Sequence, residues 1–176
     1  MNAEEKEDAM GRVVLGRTGL EVCRLGLGGI PIQRVTAPEA VATVLHAIGT
    51  GVDLIDTARG YTTSERCIGL ALRQTDKNVV VASKSTAKAA DSVRADLETS
   101  LKELQRDYID LYLCHFVSSE ADYQTVIGPG GALEGLTRAK AEGLIGHIGI
   151  TSHDLRVLDR AIDDGLFATI MPCATW

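Results

Sequence analysis

Four side chains of complementary chemistry stand at the ends of apolar runs or just beyond them. Asp56 closes Val52-Asp-Leu-Ile-Asp56, Lys84 closes Val79-Val-Val-Ala-Ser-Lys84, and His115 closes Ile109-Asp-Leu-Tyr-Leu-Cys-His115. Tyr61 follows Asp56 by five residues. Each has a plain role when taken alone: a turn or cap residue, a solvated strand end, a loop hydrogen bond, a packing ring. As a set they suit proton transfer to a carbonyl oxygen. A tyrosine with a pKa of about 10 is a poor acid at neutral pH, and a nearby ammonium is expected to lower that value. A carboxylate beside the lysine fixes its position and keeps it charged. A histidine can orient the substrate oxygen, while the tyrosine acts as general acid in reduction and general base in oxidation. The hydride must come from a cofactor, because no side chain supplies one. Lys84 as a Schiff-base nucleophile of a lyase is an alternative, but it leaves Asp56 and Tyr61 without a task.

These residues are far apart in sequence, so the fold must bring them together. The chain alternates short apolar runs with helical patterns. A hairpin around Gly16-Arg-Thr-Gly19 leads into a strand near 23–28. Thr36-Ala-Pro-Glu39 has the spacing of a capping box and opens a helix to about Gly49. Strands are predicted over 52–56, 78–84, 108–115 and 147–150, and another begins over 166–171. Helices are predicted over 64–73, 89–104, 132–142 and 154–163. The segment between His115 and Gly128-Pro-Gly-Gly131 reads as a loop, and those glycines as a turn. The strands are continuous apolar runs, as in a parallel sheet covered on both faces. Asp56, Lys84, His115 and Thr151 recur at intervals of 28, 31 and 36 residues, the length of successive βα units. A doubly wound dinucleotide fold is disfavoured, because Gly26-Leu-Gly28 is followed by Pro31 where the fingerprint needs glycine. The expected class is α/β, a (β/α)₈ TIM-barrel type, incomplete, with about six strands plus an N-terminal hairpin. In such a barrel the strand ends meet at one face, where active sites lie. A polar tail is expected over 1–10 and a partial barrel domain over 11–176. A full barrel typically needs about 250 residues, so the chain is expected to stop at Trp176 roughly two βα units short.

Composition narrows the partners. The chain has 176 residues, 45% of them hydrophobic, which excludes global disorder. A net charge of −6 argues against nucleic acid. No apolar run reaches the length of a membrane span, and the first ten residues lack a signal-peptide pattern. A cytoplasmic location is expected. Cys23, Cys67, Cys114 and Cys173 form neither a CxxC pair nor a disulfide framework. His46, His147 and His153 have no metal-site spacing, so no metal is expected. His153 lies beside the end of the 147–150 strand and reads as a helix-cap residue, with lining of the site as the alternative.

Asp56-Thr-Ala-Arg-Gly-Tyr61-Thr-Thr-Ser-Glu65 resembles the aldo-keto reductase signature D-T-A-x-x-Y-G-x-S-E. The opening Leu15-Gly-Arg-Thr-Gly-Leu-Glu-Val-Cys-Arg-Leu-Gly-Leu-Gly-Gly29 is similar to that family's start. Ser83-Lys84, Leu113-Cys-His115 and Ile145-Gly-His-Ile-Gly-Ile-Thr-Ser152 follow in the family's order. The resemblance covers about 12–173. It implies a catalytic tetrad of Asp56, Tyr61, Lys84 and His115, with Tyr61 the proton donor. It also implies cofactor contacts at Gly29, Asp56, Thr151 and Ser152. The implied reaction is reversible reduction of a small aldehyde or ketone by NADPH, or by NADH. Three departures stand out. Thr62 replaces a usual glycine, Thr151-Ser152 replaces a Ser-Asn pair, and Ile170 stands where a glutamine is usual. No cysteine cluster for iron–sulfur is present. The units missing after Trp176 are those that complete the cofactor site in the family. The alternative is therefore a catalytically incompetent truncated barrel that acts only through protein contacts, or has no function. Self-association through open barrel edges is a further expectation.

Overall fold

In the computed structural model, residues 11–173 are described. The polar tail predicted over 1–10 and the terminal Trp176 lie outside them. Strands β1 (Arg12–Val14) and β2 (Glu21–Cys23) pair antiparallel as the expected hairpin. Six further strands follow: β3 (Leu27–Gly28), β4 (Leu54–Asp56), β5 (Val80–Ser85), β6 (Ile109–Cys114), β7 (Ile145–Ser152) and β8 (Thr169–Pro172). They form one parallel sheet in the order β3-β4-β5-β6-β7-β8. A doubly wound sheet reverses direction at a switch point. Here every strand lies beside its predecessor, as in a singly wound barrel.

Helices cover the outside of the sheet: α1 (Ala37–Gly49), α2 (Ser64–Leu72), α3 (Ala90–Leu104), α4 (Glu120–Ile127), α5 (Ala132–Ala141) and α6 (Leu155–Asp164). A short 3₁₀ turn spans Ile30–Arg34. α1 starts at the predicted capping box, where the Glu39 carboxylate accepts from the Thr36 amide at 2.9 Å and its hydroxyl at 2.6 Å. Its buried face is Ala40, Val44 and Ile48, four residues apart. In α3 the buried apolar residues Val93, Leu97 and Leu104 are four and seven apart, again on one face. Gly131 caps α5, so Gly128-Pro-Gly-Gly131 is a turn into a helix.

Helix α4 is a correction, because its sequence reads as a loop. It buries only Tyr123 and Val126, too few apolar positions to establish a period. Its start was nevertheless marked, since the Ser119 hydroxyl accepts from the Asp122 amide at 3.1 Å.

Two apolar clusters result. The large one lies between sheet and helices and includes Ile55, Val81, Leu97, Tyr112, Leu136 and Ile150. A small one fills the concave side, with Ala82, Leu111 and Leu113 packed against Leu15 and Met171. Leu15 comes from the hairpin, which seals the N-terminal end of the sheet. Arg17 ties that hairpin to the segment before β8, with its amide on Ala168 O at 2.8 Å and its guanidinium on Phe167 O at 2.7 Å. Gly16, at φ +54°, makes the approach possible, because a Cβ there would stand 2.5 Å from Ala168 O.

Candidate active site

Parallel pairing brings the strand ends to one face. Asp56 is the last residue of β4, Lys84 lies near the end of β5, and His115 follows β6, its amide bonded to Ser85 O at 2.8 Å. Thr151 and Ser152 end β7. Tyr61 sits in the turn between β4 and α2. That turn is held to β5 by two backbone bonds, Thr57 N–H to Ala82 O (2.8 Å) and Arg59 N–H to Lys84 O (2.9 Å).

Lys84 is 2% exposed. Its ammonium donates to Asp56 Oδ2 and to Thr57 O, both at 2.7 Å. Burial lowers the Lys84 pKa and raises that of Asp56, while their mutual attraction opposes both shifts. The ammonium lies 4.9 Å from the centre of the Tyr61 ring. The Tyr61 and His115 rings meet edge to face at 5.9 Å. Asp56, Tyr61, Lys84 and His115 therefore form one constellation.

The predicted depression of Tyr61 is not found. Burial, the Asp56 carboxylate and Cys173 hold its hydroxyl above the ordinary range. The reason is geometric: Lys84 faces the ring and directs its hydrogen bonds to Asp56 and Thr57. His115 moves the other way. Burial, followed by repulsion from Lys84 and His153, lowers it to about 4, so the imidazole is neutral at pH 7.

A cavity of about 160 Å³ opens here, lined by Tyr61, Lys84, His115, Thr151, Ser152, His153, Met171, Pro172 and Cys173. His115 Nδ1 and Asp56 Oδ1 are buried without a hydrogen-bond partner among the described residues. Thr151 Oγ1 accepts from the Phe116 amide at 2.9 Å, which leaves its own hydrogen free to donate. Ser152 Oγ is more committed, donating to Asp154 O and accepting from Asp154 N–H. The free hydroxyl donor of Thr151, beside the cavity, fits the amide of a nicotinamide ring.

Gly29 does not line this cavity. It is buried behind it, where its amide donates to Asp56 O at 2.6 Å and its carbonyl accepts from Ser64 Oγ at 2.9 Å. His153 is not the cap of α6, because Asp154 is. His153 instead lines the cavity and meets the Phe116 ring edge-on at 5.0 Å. The sequence names Ser83 and Glu65 only within the family pattern and gives neither a role; the fold buries the Glu65 carboxylate beside the strand of Lys84, where it accepts from Ser83. Only its place in the signature marked Glu65. Among the described residues, no group of three or more His, Cys, Asp and Glu is placed to hold a metal, and no helix is long and apolar enough to cross a membrane.

Residues 24–171 match the family model described as "Aldo/keto reductase family". The chain is 32% identical over 164 residues to the L-galactose dehydrogenase of Arabidopsis thaliana, covering 85% of this chain and 50% of that one. It is 32% identical over 144 residues to the methylglyoxal reductase DkgA of Escherichia coli K12, covering 80% and 49%. Its fold is similar to that of a Bombyx mori aldo-keto reductase in complex with NADP, with a TM-score of 0.71 at 26% identity over 92% of this chain and 57% of that one. The chain thus spans about half the length of the curated relatives it matches.

Proposed function

The chain belongs to the aldo/keto reductase family, and we propose that its site carries out reversible reduction of a small aldehyde or ketone with NADPH, NADH being the weaker partner. The observation that carries this reading is the convergence of Tyr61, Lys84 and His115 around a single cavity, with Asp56, which does not line it, bonded to Lys84. When bound, the dinucleotide supplies the hydride.

Tyr61 gives its hydroxyl proton to the carbonyl oxygen. Its raised pKa keeps that proton in place at neutral pH until transfer begins. As negative charge grows on the phenol, the Lys84 ammonium stabilises it through the ring face. Asp56 fixes Lys84 at 2.7 Å, so no reorganisation is needed during the step. Neutral His115 donates a hydrogen bond to the carbonyl oxygen and orients it toward Tyr61. Thr151 and Ser152 are the residues to hold the nicotinamide amide, with Thr151 the freer donor.

The two relatives' names point to small polar carbonyl compounds as the substrate class. Calorimetric titration with NADPH, with NADH alongside, tests the cofactor. Oxidation of NADPH with methylglyoxal as probe tests the reaction. Tyr61→Phe is expected to lower kcat by about 10²- to 10⁴-fold and leave the NADPH Kd within about twofold. Equal turnover in that variant, or no binding of either dinucleotide by folded protein, would overturn the reading.

A further inference from the structure

We propose that Glu65, acting through Arg59 and Ser83, is a positioning residue that sets the Tyr61 turn against Lys84; its kinetic part rests on the carbonyl reduction proposed above. Glu65 lies in the first turn of α2 and is 1% exposed. A buried carboxylate is costly unless it is paired and hydrogen-bonded. Both of its oxygens are satisfied. Oε1 accepts from Ser83 Oγ at 2.5 Å, and Oε2 pairs with the Arg59 guanidinium.

The two partners are placed tellingly. Ser83 immediately precedes Lys84 on β5. Arg59 lies two residues before Tyr61, and its amide is already bonded to Lys84 O. One carboxylate thus links the turn that carries the proton donor to the strand that carries the ammonium. It does so from behind, because Glu65 does not line the cavity.

The turn needs such a fixture. Thr62, the next residue after Tyr61, is held at φ +41°, a conformation that a β-branched residue resists. Strain of this kind persists only where the surroundings over-determine the backbone. Thr57 Oγ1 to Ser64 Oγ (2.9 Å) and Ser64 Oγ to Gly29 O fix one side of the turn. The Arg59–Glu65–Ser83 chain fixes the other. The Glu65 charge also favours the Lys84 ammonium, alongside Asp56 and against the burial cost.

The test uses Glu65→Gln in the full chain, with two readouts. The first is the NMR titration of the Lys84 side chain, read with its other titrating neighbours Asp56, Tyr61 and His115. The midpoint is expected to fall by about half a pH unit, a roughly threefold change in the ionisation constant. The second is NADPH oxidation with methylglyoxal, where kcat is expected to fall about tenfold with the NADPH KM within about twofold. Arg59→Ala is expected to give the same split, and Arg59→Lys to restore most of kcat. An unmoved Lys84 midpoint with unchanged kcat in folded Glu65→Gln would overturn the proposal, as would Arg59→Lys behaving like Arg59→Ala. If Glu65→Gln does not fold, Ser83→Ala removes one bond only and is read by the same two measurements. A parent chain without reductase activity would refute the proposed function, and the Lys84 midpoint would still decide whether Glu65 sets the charge of that site.

Discussion

Gly29→Ala separates a packing role from a cofactor contact. Gly29 adopts φ −82° and ψ −8°, a conformation alanine shares, so the backbone does not object to the substitution. Space does. A Cβ there would stand 2.7 Å from Asp56 O and 2.7 Å from Ser64 Oγ, with Thr57 Cβ at 3.2 Å. The first neighbour is backbone and the second a short buried side chain, so neither yields cheaply. Gly29 cannot retreat either, since its amide is bonded to Asp56 O at 2.6 Å. Overpacking of this kind costs about 2 kcal/mol, within the usual span of ~1–3, or roughly a thirtyfold loss in the folding equilibrium. With an m-value of about 2 kcal/mol/M, the urea midpoint is expected to fall by about 1 M. The strand end carrying Asp56 is pushed as well, so turnover is expected to fall with stability. The assay is urea unfolding followed by circular dichroism, with NADPH calorimetry on the same preparation. An unchanged midpoint would refute the steric argument. An unchanged midpoint with weakened NADPH binding would instead place Gly29 against the cofactor.

Thr62→Gly is expected to stabilise the chain by about 0.5–1 kcal/mol. Relief of left-handed strain, about 1–2 kcal/mol, outweighs the added freedom of glycine and the loss of the exposed bond from Thr62 Oγ1 to Gln33 Oε1. Thermal unfolding checks this, and a lower melting temperature would contradict it. His115 is lowered from 6.5 to about 4 by burial. A depressed folded value means that its contribution to stability is complete above about pH 6.5 and is lost as pH falls toward 4. Urea midpoints measured from pH 7 to 4 are expected to fall less steeply in His115→Gln than in the parent. The pH profile of kcat/KM is expected to show no His115 limb near 6.5, and such a limb would refute the neutral-imidazole assignment.

How far the sequence discloses the molecule depends on how many residues share a signal. Asp56, Lys84 and His115 were legible because each ends an apolar run, and runs at intervals near thirty residues imply parallel strands that finish on one face. Tyr61 was legible through its distance from Asp56. Thr36 and Glu39 announce α1 by chemistry alone. Helix α4 was not legible, because two buried residues make no period. The direction of the Tyr61 shift was hidden for another reason. Proximity of Lys84 can be read from the spacing, but whether an ammonium meets a hydroxyl or a ring face is set by where its hydrogen bonds go. Gly29 enters from the sequence only as a cofactor contact implied by the family resemblance, and the close packing of Asp56 and Ser64 around it is visible only in the fold. Glu65 and Ser83 carry no chemical signal beyond their places in the family pattern until the fold buries them together.

The clasp between Arg17 and residues 167–168 has a kinetic consequence. It joins groups 150 positions apart in the chain, whereas each βα unit pairs with its immediate predecessor. During synthesis the hairpin emerges before its partner, which appears only after about 150 more residues, roughly 10–30 s later at common elongation rates. Until then Leu15 has Ala82, Leu111 and Leu113 to cover only as each strand arrives, and Met171 last of all. Closure over so long a loop costs little extra entropy per added residue but must wait for the whole sheet. The plug is therefore expected to be a late event of folding and an early one of unfolding, so that the concave cluster opens to solvent before the helix-covered core does.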